Sequence, residues 1–438
     1  MIDNTAQQEY RMRDSGKRRG VDLLVLAWGA YFATGPVVWL PGLSLSMVTA
    51  LKSILFAIAV WLTWTAPGRK RLPPGVIGPL GAVALLLSAS FGLFQAATRG
   101  AAITNLYSLA LPFVVLWSIL NLDDPARRLA RAAVIGSIVL AALSAVVLFA
   151  GIARPEFLSG PSPFGNTAAW ISGFGTKSTG WSHGIALFIP FLAVNVLSGN
   201  RRAAFLSLVG IALMISGQWT VFGRGGMAIS ILIVLTVFAI RAKGYFVWLG
   251  VALLLLAVPI GILITDTTEP EPLYQEEGST FEDLDALSSQ RLFLVQRGAA
   301  LIAERPITGY GFDNDYILGS NRRARYQVHV TWLRMAMQGG LLFSATFLTI
   351  VLTLAVRSVR ILRTFDQITD NLPLLACVLT IAGGLASTLV EPSGLVGAFH
   401  TSAVWWAAAG AGARLAFDAF SHPSARPRFW RPIYEQQR

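Results

Sequence analysis

The sequence has little of three things. It has one cysteine, Cys377, in 438 residues. That excludes an intrachain disulfide framework, and the residue reads as a small apolar core side chain. It is poor in charge: 13% of its residues are Asp, Glu, Lys or Arg, against roughly 25% in a soluble domain. So few charges do not coat a soluble surface of this size. It also lacks a convincing internal repeat, a low-complexity tract and a cleavable leader. The first twenty residues are polar, and the apolar run after them has no clear small-residue cleavage site, so it reads as an uncleaved first helix.

What is present is apolar. Hydrophobic residues make up 54% of the chain and the mean hydropathy is +0.59. The charges fall in short clusters between apolar stretches of roughly 17–24 residues, the length that spans a bilayer as helix. Within lipid each segment must satisfy its own backbone amides, so these stretches are expected to be helical. The net charge of +12 is spread over many short connections. It is therefore a topology signal and not a nucleic-acid footprint.

Spans are expected near 21–40, 45–66, 75–97, 101–120, 132–153, 183–198, 203–218, 226–240, 245–264, 336–356, 373–390 and 397–416. With the N-terminus inside, 23 of the 35 Lys and Arg fall in inside segments, at least two in every inside connection. The short outside connections hold only Arg99, Arg154, Lys177 and Arg224. The expected architecture is an all-α polytopic membrane protein of about twelve transmembrane helices, both termini cytoplasmic. Its parts are a cytoplasmic N-terminal tail (1–20), helices one to nine (21–264), a large helical periplasmic loop between helices nine and ten (265–335), helices ten to twelve (336–416) and a basic cytoplasmic tail (417–438).

The outer loop opens with a run of carboxylates that reads as a solvated stretch. Leu292, Leu294, Val295, Ala299, Leu301 and Ile302 then recur at helical spacing, which predicts an amphipathic helix. Pro306 stops it, and Gly309 and Gly311 flank Tyr310 in a turn. A second polar run leads to His329. Two Asp-x-Asp pairs, Asp283/Asp285 and Asp313/Asp315, have the chemistry of divalent-cation ligands. Helix-start and turn roles account for both pairs, so no metal or cofactor is assigned.

Cations at the outer helix ends run against the topology rule and want a reason. Arg99, Lys177 and Arg224 lie at that boundary, and Arg291, Arg297 and His329 hang over it from the loop. Lys52 lies in the outer half of the second helix, where snorkelling would explain it, as it would Arg99. Arg224 is set among Gly223, Gly225 and Gly226, which allow close backbone approach. Phosphate is the natural partner of such guanidinium groups.

These residues resemble a known family. The order is "SGQWTVFGRGG", then "SSQRLFLVQRGAALIAERPITGYGF" in a long outer loop, then "VHVTWLRMAMQGGLLF" entering the tenth helix. It is similar to the bacterial O-antigen ligase and polysaccharide polymerase superfamily: an arginine opening an amphipathic helix (Arg291), Pro306, Gly309 and Gly311, a histidine (His329), and Gly340-Leu341-Leu342. Val330 stands where many members have Asn, and Gly223 where many have Ser. "GFGTKSTGWSHGIALFIP" resembles exopolysaccharide polymerases, with Lys177 as the lysine before the sixth helix and Thr176 in place of a common histidine.

The resemblance implies a bacterial inner-membrane glycosyltransferase. It would move a glycan from a polyprenyl (undecaprenyl) diphosphate carrier to an acceptor glycan or lipid A core at the periplasmic face, without metal and with inversion. Arg224 and Arg291 would hold the diphosphate, with Lys177 or Arg99 helping, and His329 would act on the acceptor. The expected partners are that lipid-linked glycan, the acceptor and membrane lipids, with no nucleic acid. The competing expectation is a transporter or flippase of lipid-linked oligosaccharide, a class that often uses internal repeats and helices broken at the midplane.

Overall fold

The computed structural model describes residues 22–38, 40, 43–66, 89, 93–96, 99–153, 174, 178–221, 223–241, 291–312, 316–318, 325–328, 330–362, 371–389 and 401–421. Helices dominate them: α1 (Leu23–Thr34), α2 (Leu45–Thr65), α3 (Arg99–Leu120), α4 (Pro125–Ala153), α5 (Ser178–Ala186), α6 (Ile189–Ala193), α7 (Arg201–Thr220), α8 (Arg224–Arg241), α9 (Arg291–Glu304), α10 (Thr331–Leu362), α11 (Leu372–Ser387) and α12 (Ala403–Ser421). Six stretches of the described residues are long and apolar enough to cross a membrane: 46–65, 125–150, 179–197, 201–220, 224–241 and 331–362. Side chains such as Ile54, Ile58 and Trp61 on α2, and Phe205 and Leu206 on α7, are exposed large hydrophobics. A bilayer makes such surfaces favourable, so this is a membrane protein. The expected ninth span and most of the third lie outside the described residues.

Local chemistry starts the helices. Asp22, Ser44, Asn200 and Asn371 each accept a first-turn amide, as from Val25, Met47, Ala203 and Leu374. An N-cap does this by satisfying donors that have no partner within the helix. α12 packs on α3, α4, α10 and α11. Its centre is a run of small residues, Ala407 to Ala413, whose alanines are fully buried. Without a hydrophobic drive between helices in lipid, close backbone approach at small residues is what holds them together. Trp405 and Trp406 begin this helix with ring centroids 5.0 Å apart, and Trp406 meets Phe113 and Phe347.

The structure departs from the sequence reading in four places. The expected sixth helix is broken: α5 ends at Ala186, α6 begins at Ile189, and a 3-10 turn (Val194–Leu197) follows. Pro190 has no N–H for the carbonyl four residues back. Nearby carbonyls at the break take other donors, Thr380 Oγ1 to Leu187 at 3.3 Å and Ser137 Oγ to Phe188 at 3.4 Å.

The loop expected to be helical also holds a β-hairpin, and the fold is not purely α. β1 (Tyr316–Leu318) pairs antiparallel with β2 (Arg325–Gln327), Ile317 opposite Tyr326. Three-residue strands are too short to print a period of two. Lys52 does not snorkel: it is 3% exposed and donates to the Gly35 carbonyl at 3.2 Å. Arg414, one of the 23 cations assigned to the inside, is no free topology charge: it is buried in α12, ion-paired with Asp418 at 3.1 Å and bonded to the Leu120 carbonyl at 3.2 Å.

Candidate active site

The arginine turn joins α7 to α8. Arg224 is the first residue of α8 and its side chain is exposed. The side chains of Ser182, Gln218 and Ser230 behind it are buried and hydrogen-bonded. The Gly223 amide donates to Gln218 O at 2.9 Å. The Gly223 carbonyl accepts the Ser182 hydroxyl at 2.6 Å and the Met227 amide at 3.0 Å. Gln218 Nε2 donates to Ser182 O at 2.8 Å and to Ser230 Oγ at 3.0 Å, and Ser230 Oγ donates to Gly226 O at 2.9 Å. Ser182, Gln218 and Ser230 are fully buried. Gly226 lets α8 lie against α5: a Cβ there would come within 2.6 Å of the His183 amide nitrogen. Several buried hydrogen bonds converging on one turn make it rigid. It fixes where the Arg224 backbone begins, and it leaves the guanidinium outside the clamp.

The second element is a latch between the segment after α9 and α10. α10 is not continuous: at Gly340 the backbone takes φ 82°, ψ 172°. That region is essentially open to glycine alone. The kink takes Leu341 N away from the Met337 carbonyl, its partner in a regular helix. Leu341 N donates instead to Pro306 O at 2.7 Å. In return the strap after α9 donates Tyr310 N to Met337 O at 2.8 Å and Gly311 N to Gln338 O at 3.0 Å. Gln338 Nε2 reaches Phe312 O at 3.4 Å. The exchange satisfies backbone groups that the kink would orphan.

Phe312 is fully buried, edge-on to Phe343 at 5.1 Å. Leu294 and Ile302 of α9 pack with Val328, Ala336 and Met337. The helix that Arg291 opens is thereby docked on the helix that follows His329. Tyr310 closes the strap, its hydroxyl bonded to the Glu304 carboxylate and its ring 4.7 Å from the Arg305 guanidinium carbon. The bond to Glu304 raises the Tyr310 pKa above the ordinary tyrosine range.

Of the expected site residues, Arg224 is described in full. Arg99 and Arg291 are placed by their backbones, each as the first residue of its helix. His329 and Lys177 lie outside the described residues, as do both Asp-x-Asp pairs. Arg297 is exposed on α9, as a solvated helix charge should be. The sequence reading missed Ser182, Gln218 and Ser230 and a fourth buried polar residue beside them, His183. The signal available was their polarity within apolar runs, since polar side chains inside a membrane span are costly and commonly functional.

Residues 185–348 match the family model described as O-antigen ligase. The resemblance to the O-antigen ligase and polymerase superfamily is thus shown over a segment that runs from the end of α5 into α10 and holds Arg224, Arg291, His329 and the whole latch. Lys177 and Arg99 fall before it. No curated protein matches the chain. The family match supports a glycosyl-transferring membrane enzyme of ligase or polymerase type.

Proposed function

We propose that the chain is a multi-pass glycosyltransferase of the bacterial inner membrane, with about twelve spans, both termini cytoplasmic and residues 265–335 on the periplasmic side. It transfers a glycan from a polyprenyl diphosphate carrier to an acceptor glycan or lipid A core, with inversion and without a metal. The observation that carries this reading is Arg224, an exposed guanidinium at a helix start whose turn is held from behind by buried hydrogen bonds. Donors fixed in advance stabilise developing charge without reorganising, and a helix N-terminus adds its own positive end.

The acceptor hydroxyl attacks the anomeric carbon. The C1–O bond to phosphate breaks and its electron pair leaves with the diphosphate. Arg224 and Arg291 hold that charge, with Lys177 or Arg99 helping. His329 takes the acceptor proton, a task suited to an imidazole near neutral pKa.

The break between α5 and α6 favours a transporter at first sight, since transporters often carry interrupted helices at substrate sites. Here the carbonyls beside the break are held by Thr380 and Ser137, and Leu187, Phe188 and Ile189 are all buried. The break is packed against α4 and α11.

The test is purified protein in detergent with synthetic polyprenyl diphosphate oligosaccharide, offered lipid A core or more donor as acceptor. Wild type should release polyprenyl diphosphate and yield a transferred or lengthened glycan, EDTA should leave this unchanged, and His329→Ala and Arg291→Ala should abolish it. The acceptor consumed separates ligase from polymerase. Folded wild type that transfers nothing, yet moves the lipid across a vesicle membrane, would overturn the reading.

A further inference from the structure

His183 lies on α5 and Ser387 closes α11, and both are buried, 2% and 1% exposed. Their side chains meet, Nδ1 to Oγ, at 2.7 Å across 204 residues of sequence. What makes the pair informative is what adjoins each member. His183 follows Ser182, whose hydroxyl holds the Gly223 carbonyl at the arginine turn. Ser387 precedes Thr388, whose carbonyl accepts the Thr331 amide at 3.1 Å. Thr331 is 1% exposed and begins α10. Two helical turns on, α10 presents the Met337 and Gln338 carbonyls to the latch. An unbroken path of hydrogen bonds and adjacent residues therefore joins the turn that carries Arg224 to the start of the helix that follows His329.

We infer that His183 and Ser387 form a positioning pair that holds the arginine turn and the entrance to α10 in register. The pair touches no reacting atom. It lies in the packed interior between the two elements, where close packing transmits displacement. His183 and Ser387 also fall outside the matched segment 185–348. The catalytic consequence rests on the glycosyl-transfer reading; the coupling itself does not.

The experiment has two arms on the full chain in detergent: wild type, His183→Ala, His183→Asn and Ser387→Ala. Asparagine can place an amide where Nδ1 stands. The first arm is amide hydrogen exchange. Losing one buried hydrogen bond should speed exchange on the order of tenfold at both 223–227 and 331–335 in His183→Ala and Ser387→Ala. His183→Asn should restore both segments together. The second arm is glycosyl transfer, where kcat should fall on the order of tenfold in His183→Ala while KM for the lipid donor stays within about twofold, with recovery in His183→Asn.

Faster exchange confined to 178–190, or in only one of the two distant segments, would overturn the inference. So would unchanged kcat in a His183→Ala protein beside an active wild type. If wild type transfers no glycan, the proposed function fails by itself and the exchange arm still decides the coupling. Should His183→Ala not fold, the milder Ser387→Ala carries both arms.

Discussion

The arginine turn and the latch do the same mechanical job with different materials. The turn is built from side chains: Ser182 and Ser230 donate to the Gly223 and Gly226 carbonyls, and Gln218 donates to both serines. The latch is built from backbone: Pro306, Tyr310, Gly311, Met337, Gln338 and Leu341 exchange main-chain bonds. A side-chain clamp is specified by which polar atom sits where. A backbone latch is specified by which residues can adopt the conformation. The first should therefore fail when a donor is removed, and the second when a Cβ is added.

The largest effect expected separates the turn from its cargo. Arg224→Ala should lower glycosyl transfer by about a hundredfold to a thousandfold, as removal of one preorganised oxyanion donor does. Its thermal unfolding in detergent should stay at the wild-type midpoint, because the exposed side chain is no part of the clamp. A fall in melting temperature comparable to the loss of activity would put the arginine inside the scaffold.

Next comes the latch. Gly340→Ala forces a Cβ into a conformation that costs about 1–3 kcal/mol for any other residue, and it points that Cβ at the Ile307 carbonyl. The expected outcome is a lowered melting temperature, with proteolytic cleavage appearing first in the strap at 305–312. If Gly340→Ala melts like wild type, the latch is not set by backbone conformation.

The two constructions also explain what could be read from the sequence. Pro306, Gly309, Gly311 and Gly340 were visible because few residues can do what they do, so conformation leaves a mark on composition. Six of the expected spans coincide with long apolar helices among the described residues, because lipid demands long apolar runs and the basic connections punctuate them. The clamp was not visible. Gln218 meets Ser182 across 36 residues, Ser182 meets Gly223 across 41, and His183 meets Ser387 across 204. Each is an ordinary polar residue whose role exists only once distant helices pack, and no local period carries that. Lys52 was misread for the same reason: its stem does not run to the surface, because the Gly35 carbonyl waits for it inside.

Gln218→Leu sharpens the contrast from the other side. It removes both donor bonds and leaves the Ser182 carbonyl and Ser230 hydroxyl without that partner. Membrane-interior hydrogen bonds are worth about 0.6–2 kcal/mol each, so the melting temperature should drop modestly. Transfer should drop further than stability, since the turn is freed while Arg224 remains. Equal losses in both would mean that the clamp only holds the fold.

The smallest effect is expected at the Tyr310–Glu304 bond of the strap. The hydrogen bond to Glu304 favours the protonated phenol of Tyr310, so its pKa is higher in the folded latch than in an unfolded chain. That stabilisation is fully present below the ordinary tyrosine pKa and is lost as pH rises through the higher folded value. The bond lies in a solvent-exposed setting, which keeps the effect small. Amide exchange of the 309–312 strap should quicken in wild type above about pH 10, the ordinary tyrosine range. Tyr310→Phe should show slightly faster exchange at neutral pH and no such alkaline step once the intrinsic rate is divided out. An alkaline step that survives in Tyr310→Phe would assign the closure to another group and leave the latch a backbone device throughout.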